Sequence, residues 1–315
     1  MDCGVDDNGR GPTFAPGLAQ DLLAVFISHS HLDHVGGIPS LVKAGFKGPF
    51  LMSGETENYL KGLYPGLLPS LAIKAIEPGV ALTVGRELTV DSGKAGHCIG
   101  SLWFDIRFRG KRIVFTGDYL EDSPYLCDPI RHRKADIAII DGSYWHKDVP
   151  PLAANLLRLK SLVAKYNGNV LLPVSGNGRG IIVREMLEDW GYETIVRGGL
   201  FRENLKAWLK PSSSRPGDRL KGTGKPVVFT DKDFQNPDTR ALVENNPDKA
   251  LILSGSVDDG SVASSYLLNR PHTFQIFFNS HASEGEIKNL LANNAFDKHV
   301  LFASKKTLFP TNISF

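Results

Sequence analysis

The stretch Ser28-His29-Ser30-His31-Leu32-Asp33-His34-Val35-Gly36-Gly37 places three histidines and a carboxylate within six positions, His29 to His34. Imidazole and carboxylate are the ligand types that suit zinc and its neighbours among the divalent metals. Four such side chains this close cannot all turn away from one another, so the run predicts a metal site. The alternative is a histidine-rich surface loop, but such tracts rarely follow a buried strand or carry an Asp between the histidines. Four further positions carry the same chemistry. His97 lies in the glycine-flanked Gly96-His97-Cys98-Ile99-Gly100-Ser101, Asp118 closes Phe115-Thr116-Gly117-Asp118, Asp141 opens Asp141-Gly142-Ser143-Tyr144, and His281 follows Phe277-Phe278-Asn279-Ser280. Taken singly, each Asp reads equally well as a helix cap or turn residue, and each His as a packed or solvated side chain.

The elements around these residues supply what the residues alone do not. Leu22 to Ile27 is a short apolar run and predicts a buried strand. Gly36 and Gly37 suit a tight turn into a helix. The histidine run then sits at a strand's C-terminal end, where open α/β folds place their sites. The other four positions also follow or abut predicted strand ends, which a layered fold can bring to one edge. Strands are predicted at 81–84, 87–91, 101–108, 112–116 and 137–140, with a hairpin turn at Arg109-Gly110-Lys111. Beyond Trp145 helices and strands alternate. Helices are predicted at 151–164, with Leu152, Leu156, Leu159 and Val163 on one face, at 181–190 behind Gly178-Arg179-Gly180, and at 284–291. Strands are predicted at 170–174, 227–230, 250–254, 274–278 and 299–302, and residues 211–225 read as a surface loop.

With 315 residues the chain has room for one large domain or two modest ones. Its 42% hydrophobic and 22% charged residues are those of a soluble globular protein. A net charge of +2 does not by itself argue for a nucleic-acid partner. No apolar run is long enough to span a bilayer, and the acidic start Met1-Asp2-Cys3-Gly4-Val5-Asp6-Asp7 is not that of a signal peptide. Cys3, Cys98 and Cys127 are odd in number and form no C-x-x-C pair, which argues against a disulfide framework and for a reducing, cytoplasmic location. Lys206, Lys210, Arg215, Arg219, Lys221 and Lys225 form a basic stretch, with Arg131-His132-Arg133-Lys134 and Lys305-Lys306 as smaller clusters. These read either as phosphate-backbone contacts or as solvated surface. Trp145, Trp190 and Trp208 either stack on bases or fill the core. Arg179, at a helix start, meets either a phosphate or a carboxylate.

The order of Asp2, the His-x-His-x-Asp-His run, His97 and Asp118 resembles the metallo-β-lactamase fold. Gly96 to Ser101, Thr116-Gly117-Asp118 and Asp141-Gly142-Ser143-Tyr144 are more narrowly similar to its β-CASP branch, which includes ribonuclease J, the polyadenylation endonuclease and Artemis-like DNA nucleases. Leu171 to Arg179 and Phe278-Asn279-Ser280-His281-Ala282-Ser283 continue the likeness, which covers most of the chain outside residues 195 to 245. The resemblance implies an α/β fold, a four-layer αββα metallo-β-lactamase sandwich with an inserted α/β β-CASP cap. Its expected boundaries are 1–144 and 271–315 for the sandwich, with the sheet resuming near Thr273, and 145–270 for the cap.

The resemblance also implies roles. His29, His31 and His97 would hold one zinc, Asp33 and His34 a second, and Asp118 would bridge them; manganese is the alternative metal. Two such metals about 3.5–4 Å apart clamp the attacking and leaving oxygens of a phosphodiester and make hydroxide available near neutral pH. Asp33, Asp118, Asp141 and His281 are the implied catalytic residues, with His281, paired to Asp141, protonating the leaving oxygen. Ser143, Tyr144, Arg179 and Ser280 are implied substrate contacts, and Asp2 would orient a ligand from behind. Two features depart from the branch. The branch usually carries a strand hairpin before the Asp2 position, whereas this sequence starts almost at that Asp, so either its start is truncated or the fold omits an edge of its first sheet; and Ala303 stands where RNA-acting members carry a metal-binding His, as an apolar residue does in DNA-acting ones. The second metal should therefore bind more weakly. The expected function is a zinc-dependent nuclease acting on single-stranded or structured RNA or DNA through a metal-activated hydroxide, with no membrane partner and with a homodimer compatible with the sequence. The alternatives are a catalytically weakened binding or scaffold subunit and a small-molecule metallo-hydrolase.

Overall fold

The computed structural model describes residues 1–6, 8–14, 17–123, 126–176, 178–197, 202, 225–231, 237–255 and 270–302. Ala303, Trp208, Lys305-Lys306 and the basic stretch from Lys206 to Lys221 lie outside them. The chain divides into two compact units, Met1–Lys147 together with the chain from His281 on, and Asp148–Ser280.

The first unit begins with α1 (Leu18–Asp21), β1 (Val25–Phe26), α2 (Leu32–Val35), α3 (Ile38–Lys43), β2 (Phe50–Met52), α4 (Gly54–Leu63) and β3 (Ile73–Ala75), and β1-β2-β3 form a parallel three-stranded sheet. It continues with β4 (Leu82–Val84), β5 (Leu88–Lys94), β6 (Leu102–Phe108), β7 (Lys111–Phe115) and β8 (Lys134–Asp141). Between β6 and β7, Phe108 pairs with Lys111. The two turn residues, Arg109 and Gly110, both have positive φ (49° and 74°), the backbone that suits the twist of a two-residue hairpin.

The second unit carries α5 (Leu152–Lys165), β9 (Val170–Val174), α6 (Arg179–Asp189), β10 (Thr194–Val196), β11 (Val227–Asp231), α7 (Pro237–Glu244), β12 (Ala250–Gly255) and β13 (Thr273–Phe277). Its five strands form a parallel sheet in the order β10-β11-β9-β12-β13. Every residue of β9 is buried, the continuous apolar pattern expected of a parallel strand covered on both faces. One expectation is corrected here. Thr273–Phe277 does not resume the first unit's sheet; it pairs in parallel with β12 and completes the second. Its apolar run suits either sheet, and only the pairing decides.

The chain re-enters the first unit at His281, with α8 (Glu284–Ala292) and β14 (Ala295–Phe302). β14 pairs in parallel with β8, giving a six-stranded sheet β14-β8-β7-β6-β5-β4. Strand alternation then builds four layers. Val25, Phe50 and Met52 pack on Val35, Ile38, Leu41 and Leu60 of the first helices. Phe26 and Leu51 point the other way, against Phe104, Ile106 and Phe115 of the larger sheet. Trp103, Val114, Ala138 and Ile140, on that sheet's far face, pack on Ile287 and Leu290 of α8. The order is helix, sheet, sheet, helix, the αββα sandwich the motifs led us to expect.

Candidate metal centre

The histidine run is a strand-to-helix turn. Ile27 N–H still donates to Leu51 O in the ladder at 2.8 Å, after which the chain breaks away, and Ser28 O accepts from Leu102 N–H of the second sheet at 2.8 Å. His31 is the extended residue that caps α2, the single turn carrying Asp33 and His34. The N-terminal segment straps this turn: Cys3 N–H donates to His34 O and Gly37 N–H to Cys3 O, both at 2.8 Å. The approach is so close that a Cβ on Gly4 would lie 1.5 Å from Asp33 O, so only glycine fits there.

The remaining residues arrive by direct pairing. Gly96 (φ +85°) forms a β-bridge to Tyr119, setting His97 beside Asp118. Ala282 N–H donates to Tyr119 O at 2.6 Å, and Tyr144 bridges Ser283, which brings in His281. Asp141 ends β8, its N–H donating to Thr116 Oγ1 at 2.9 Å.

Three imidazole nitrogens face one point. His31 Nδ1 lies 3.0 Å from His29 Nε2 and 3.0 Å from His97 Nε2. Burial, then the charges of the neighbouring histidines, push His29 well below the ordinary imidazole value. Burial also lowers His31, outweighing the carboxylates of Asp118 and Asp33. A neutral imidazole offers one lone pair, and imidazole nitrogens 3.0 Å apart in a buried site can share a proton or converge on a cation, so this donor set fits a divalent metal.

Asp118 turns one oxygen to each group of histidines. Its Oδ2 lies 3.6 Å from His29 Nε2 and 3.4 Å from His97 Nε2, and its Oδ1 lies 3.3 Å from His34 Nε2. His34 also has Asp33 Oδ2 3.5 Å from Nε2 and Asp2 Oδ2 2.7 Å from Nδ1. Burial works against a charge on His34, but the carboxylates of Asp118, Asp2 and Asp33 outweigh it and push its pKa up. This half of the site is therefore anionic and suited to positive charge, whether proton or metal. Burial raises Asp33, yet its contact with His34 and the nearby histidine charges hold it at about 2. Asp33 stands at the mouth, its side chain 69% exposed.

Asp2 and Ser28, the second unremarked in the sequence, orient the ligands from behind. Asp2 accepts from Ser28 N–H at 2.6 Å, Ser28 Oγ donates to its other oxygen at 2.8 Å, and Ser28 Oγ lies 3.1 Å from His29 Nδ1. Each histidine held at Nδ1 is left with Nε2 facing the site.

Asp141 is fully buried and accepts from Tyr119 N–H at 3.0 Å, Ser143 N–H at 3.0 Å, Ser143 Oγ at 2.6 Å and His281 Nδ1 at 2.8 Å. Burial raises its carboxyl, but the charge and hydrogen bond of His281, with those from Ser143, outweigh it and hold it below the ordinary 3.8. His281 Nδ1 also lies 3.8 Å from Asp118 Oδ2. The Ser143 hydroxyl is given to Asp141, and Tyr144 is buried with its ring 5.0 Å from that of His281. Both thus support the His281–Asp141 pair. Arg179 and Ser280 belong to the second unit. Of the smaller basic cluster, Arg131 pairs with Glu121, and Arg133 lies 3.1 Å from both Asp91 and Asp105, so these two arginines are spent on internal ion pairs. Cys98 was not singled out as a ligand in the sequence, yet its sulfur and the nitrogens of His29, His31 and His97 all lie within 4.8 Å of one another.

Residues 1–171 match the family described as beta-lactamase superfamily domain. The chain belongs to that superfamily. Among curated proteins it is similar to transcription termination factor FttA of Methanocaldococcus jannaschii, 28% identical over 65% of this chain and 38% of the relative. It is 29% identical to ribonuclease TTHA0252 of Thermus thermophilus over 48% of this chain and 39% of the relative. It is 26% identical to cleavage and polyadenylation specificity factor 73 of Drosophila melanogaster over 57% of this chain and 30% of the relative. The chain thus spans 30–39% of the length of these relatives. No helix among the described residues is long and apolar enough to cross a membrane.

Proposed function

We propose that the protein is a metal-dependent nuclease of the β-CASP branch that hydrolyses phosphodiester bonds, with RNA as the favoured substrate. The observation that carries this reading is Asp118, whose two oxygens face two separate groups of histidines while the His281–Asp141 pair stands alongside. Relatives named as a ribonuclease and a cleavage factor support RNA. The second unit, Asp148–Ser280, is the proposed β-CASP cap, with Arg179 and Ser280 as its proposed substrate contacts. Three cysteines outside disulfide spacing support a cytoplasmic setting.

His29, His31 and His97 would hold one zinc, and Asp33, His34 and Asp118 a second, more weakly. Bound metal supplies positive charge beside a phosphate oxygen and lowers the pKa of water. Asp2 and Ser28 hold the ligand rings in place. His281, with Nδ1–H on Asp141, carries its exchangeable proton on Nε2 and gives it to the leaving oxygen.

The test offers labelled single-stranded RNA, single-stranded DNA and bis-p-nitrophenyl phosphate to the wild type and to Asp118→Ala, with zinc or manganese. RNA cleavage by the wild type is expected to fall about 10²-fold or more in the variant, the scale of losing one buried electrostatic contact in an active site. Cleavage that survives Asp118→Ala would remove the assignment. After dialysis against a mild chelator, metal analysis is expected to find one zinc per chain; two retained metals would sink the unequal-site reading.

A further inference from the structure

The parallel sheet of the second unit gathers cations at the end where its strands start, and the nuclease reading leaves them unused. Pairing sets Val228 of β11, Leu171 of β9, Leu251 of β12 and Thr273 of β13 level with one another. Lys225, Lys249 and His272 stand three, two and one residues before that level, and Lys165 ends α5, just ahead of β9. This end is closely built. Lys225 N–H donates to Asn167 O at 3.2 Å, and a Cβ on Gly168 would lie 1.9 Å from Lys225 O. Lys249 N–H donates to Asn246 O at 3.2 Å, and Leu251 N–H to His272 O at 3.1 Å. Tyr166 Oη lies 3.0 Å from His272 Nδ1, and Lys165 Nζ lies 5.6 Å from the Tyr166 ring centre. The Tyr166 and Phe274 ring centres are 6.1 Å apart.

These charges are not spent on internal ion pairs. Among the described residues no carboxylate pairs with Lys165, Lys225 or Lys249. The carboxylates next to the strand starts are Glu193, before β10, and Asp248, beside Lys249, and neither reaches these lysines. Burial, then the charge of Lys225, lowers the Lys249 pKa from its ordinary value, so the two ammonium groups stand close enough to repel. Like charges held in this way favour an anion between them. Lys225 also closes the basic stretch that begins at Lys206 in the sequence. Cations beside aromatic rings suit a single-stranded nucleic acid, which offers phosphates to the first and base faces to the second. Free phosphate would use the lysines alone.

We propose that Lys165, Lys225, Lys249 and the Tyr166–His272 pair form a second contact for single-stranded RNA, which holds nucleotides away from the reacting bond. Within the second unit it lies at the opposite end of the strands from Arg179 and Ser280, which follow β9 and β13. The choice of RNA rests on the proposed function; the contact itself does not depend on the metal centre.

The experiment measures binding of fluorescein-labelled single-stranded RNA to the full chain by anisotropy, over a series of salt concentrations and with chelator present to prevent cleavage. In Lys225→Ala/Lys249→Ala the slope of log affinity against log salt is expected to shrink by about 0.7 for each lost phosphate contact, about 1.4 in all. Lys43→Ala/Lys47→Ala removes the same charge from the first unit and is expected to bind as the wild type does. Tyr166→Leu is expected to weaken RNA about 5-fold or more, the scale of one stacked base, and Tyr166→Phe to restore it. Hydrolysis of bis-p-nitrophenyl phosphate, which has no chain to reach this surface, is expected to be unchanged in the lysine variant. Equal affinity and slope in the wild type and the lysine variant, or an equal loss in the Lys43/Lys47 control, would overturn the inference while leaving the nuclease reading intact. Weaker binding in the lysine variant with no effect of Tyr166→Leu would overturn the RNA contact in favour of a phosphate site. RNA bound through these residues but not cleaved by metal-loaded wild type would sink the nuclease reading and leave this surface standing.

Discussion

Asp118 and Asp141 are both buried carboxylates, and their surroundings give them different work. Asp118 has histidines on both oxygens. Asp141 has its oxygens occupied by Tyr119, Ser143 and His281. Its carboxyl sits below the ordinary 3.8 in the folded protein. The sign follows from linkage. A folded value below the unfolded one means the carboxylate stabilises the fold above pH 3.8, and that this contribution is lost as pH falls through the folded value. Urea unfolding of metal-free protein from pH 6 down to pH 3 is expected to show a smaller fall in stability for Asp141→Asn than for the wild type. Parallel curves would show that the Asp141 contacts contribute nothing to the titration.

Elements turn scattered residues into neighbours, and the six-stranded sheet does most of this. Its outer face carries Asp105, fully buried, between Arg112, whose guanidinium donates to it at 2.7 and 2.5 Å, and Arg133 at 3.1 Å. Arg133 also stacks on Trp103, 5.1 Å from the ring centre. These contacts tie β6 to β7 and to the start of β8, strands that lead toward His97, Asp118 and Asp141. Removing the shared carboxylate takes charged hydrogen bonds from two guanidinium groups that are each 28% exposed, which costs about 1.5–3 kcal/mol. Asp105→Ala is therefore expected to unfold at markedly lower denaturant with little change in its slope, read by circular dichroism. A change below about 1 kcal/mol would show that the network is solvated rather than buried.

At the scale of the molecule, the first unit is built from two chain segments that meet at the bridge between Tyr144 and Ser283. Lys147 and His281, the ends of those segments, therefore lie near one another. Replacing Asp148–Ser280 by a short Gly/Ser linker is expected to leave the candidate metal centre assembled, read by retained zinc. If Asp148–Ser280 supplies substrate contacts, RNA cleavage should be lost or weakened by 10-fold or more in the same protein. Full cleavage by the shortened chain would end the role proposed for the second unit.

How much was legible beforehand depended on whether a signal was local. The run His29 to His34 declared a metal site because four ligand-type side chains in six positions have few other uses, and the hairpin at Arg109-Gly110 follows from two residues. The strands at 101–108, 112–116 and 170–174 and the helix at 284–291 also lie within a residue or so of their observed bounds, because a hairpin turn delimits the first two, the third is a continuous apolar run and a Ser283–Glu286 capping box opens the helix. Helix α3 and strand β2 are too short to show a period, and α4, Gly54–Leu63, is mostly polar with only Thr56 and Leu60 buried, so none of the three carries a clear apolar pattern. What the tertiary structure alone decided are facts about pairing at long range: that Thr273–Phe277 joins the second sheet, that Ser143 and Tyr144 serve the His281–Asp141 pair, that Gly4 must be glycine beneath Asp33 O, and that Cys98 lies with three histidines. A sequence fixes which donors exist, but which of them share a site depends on hydrogen-bond ladders between strands dozens of residues apart, and no local pattern records that pairing.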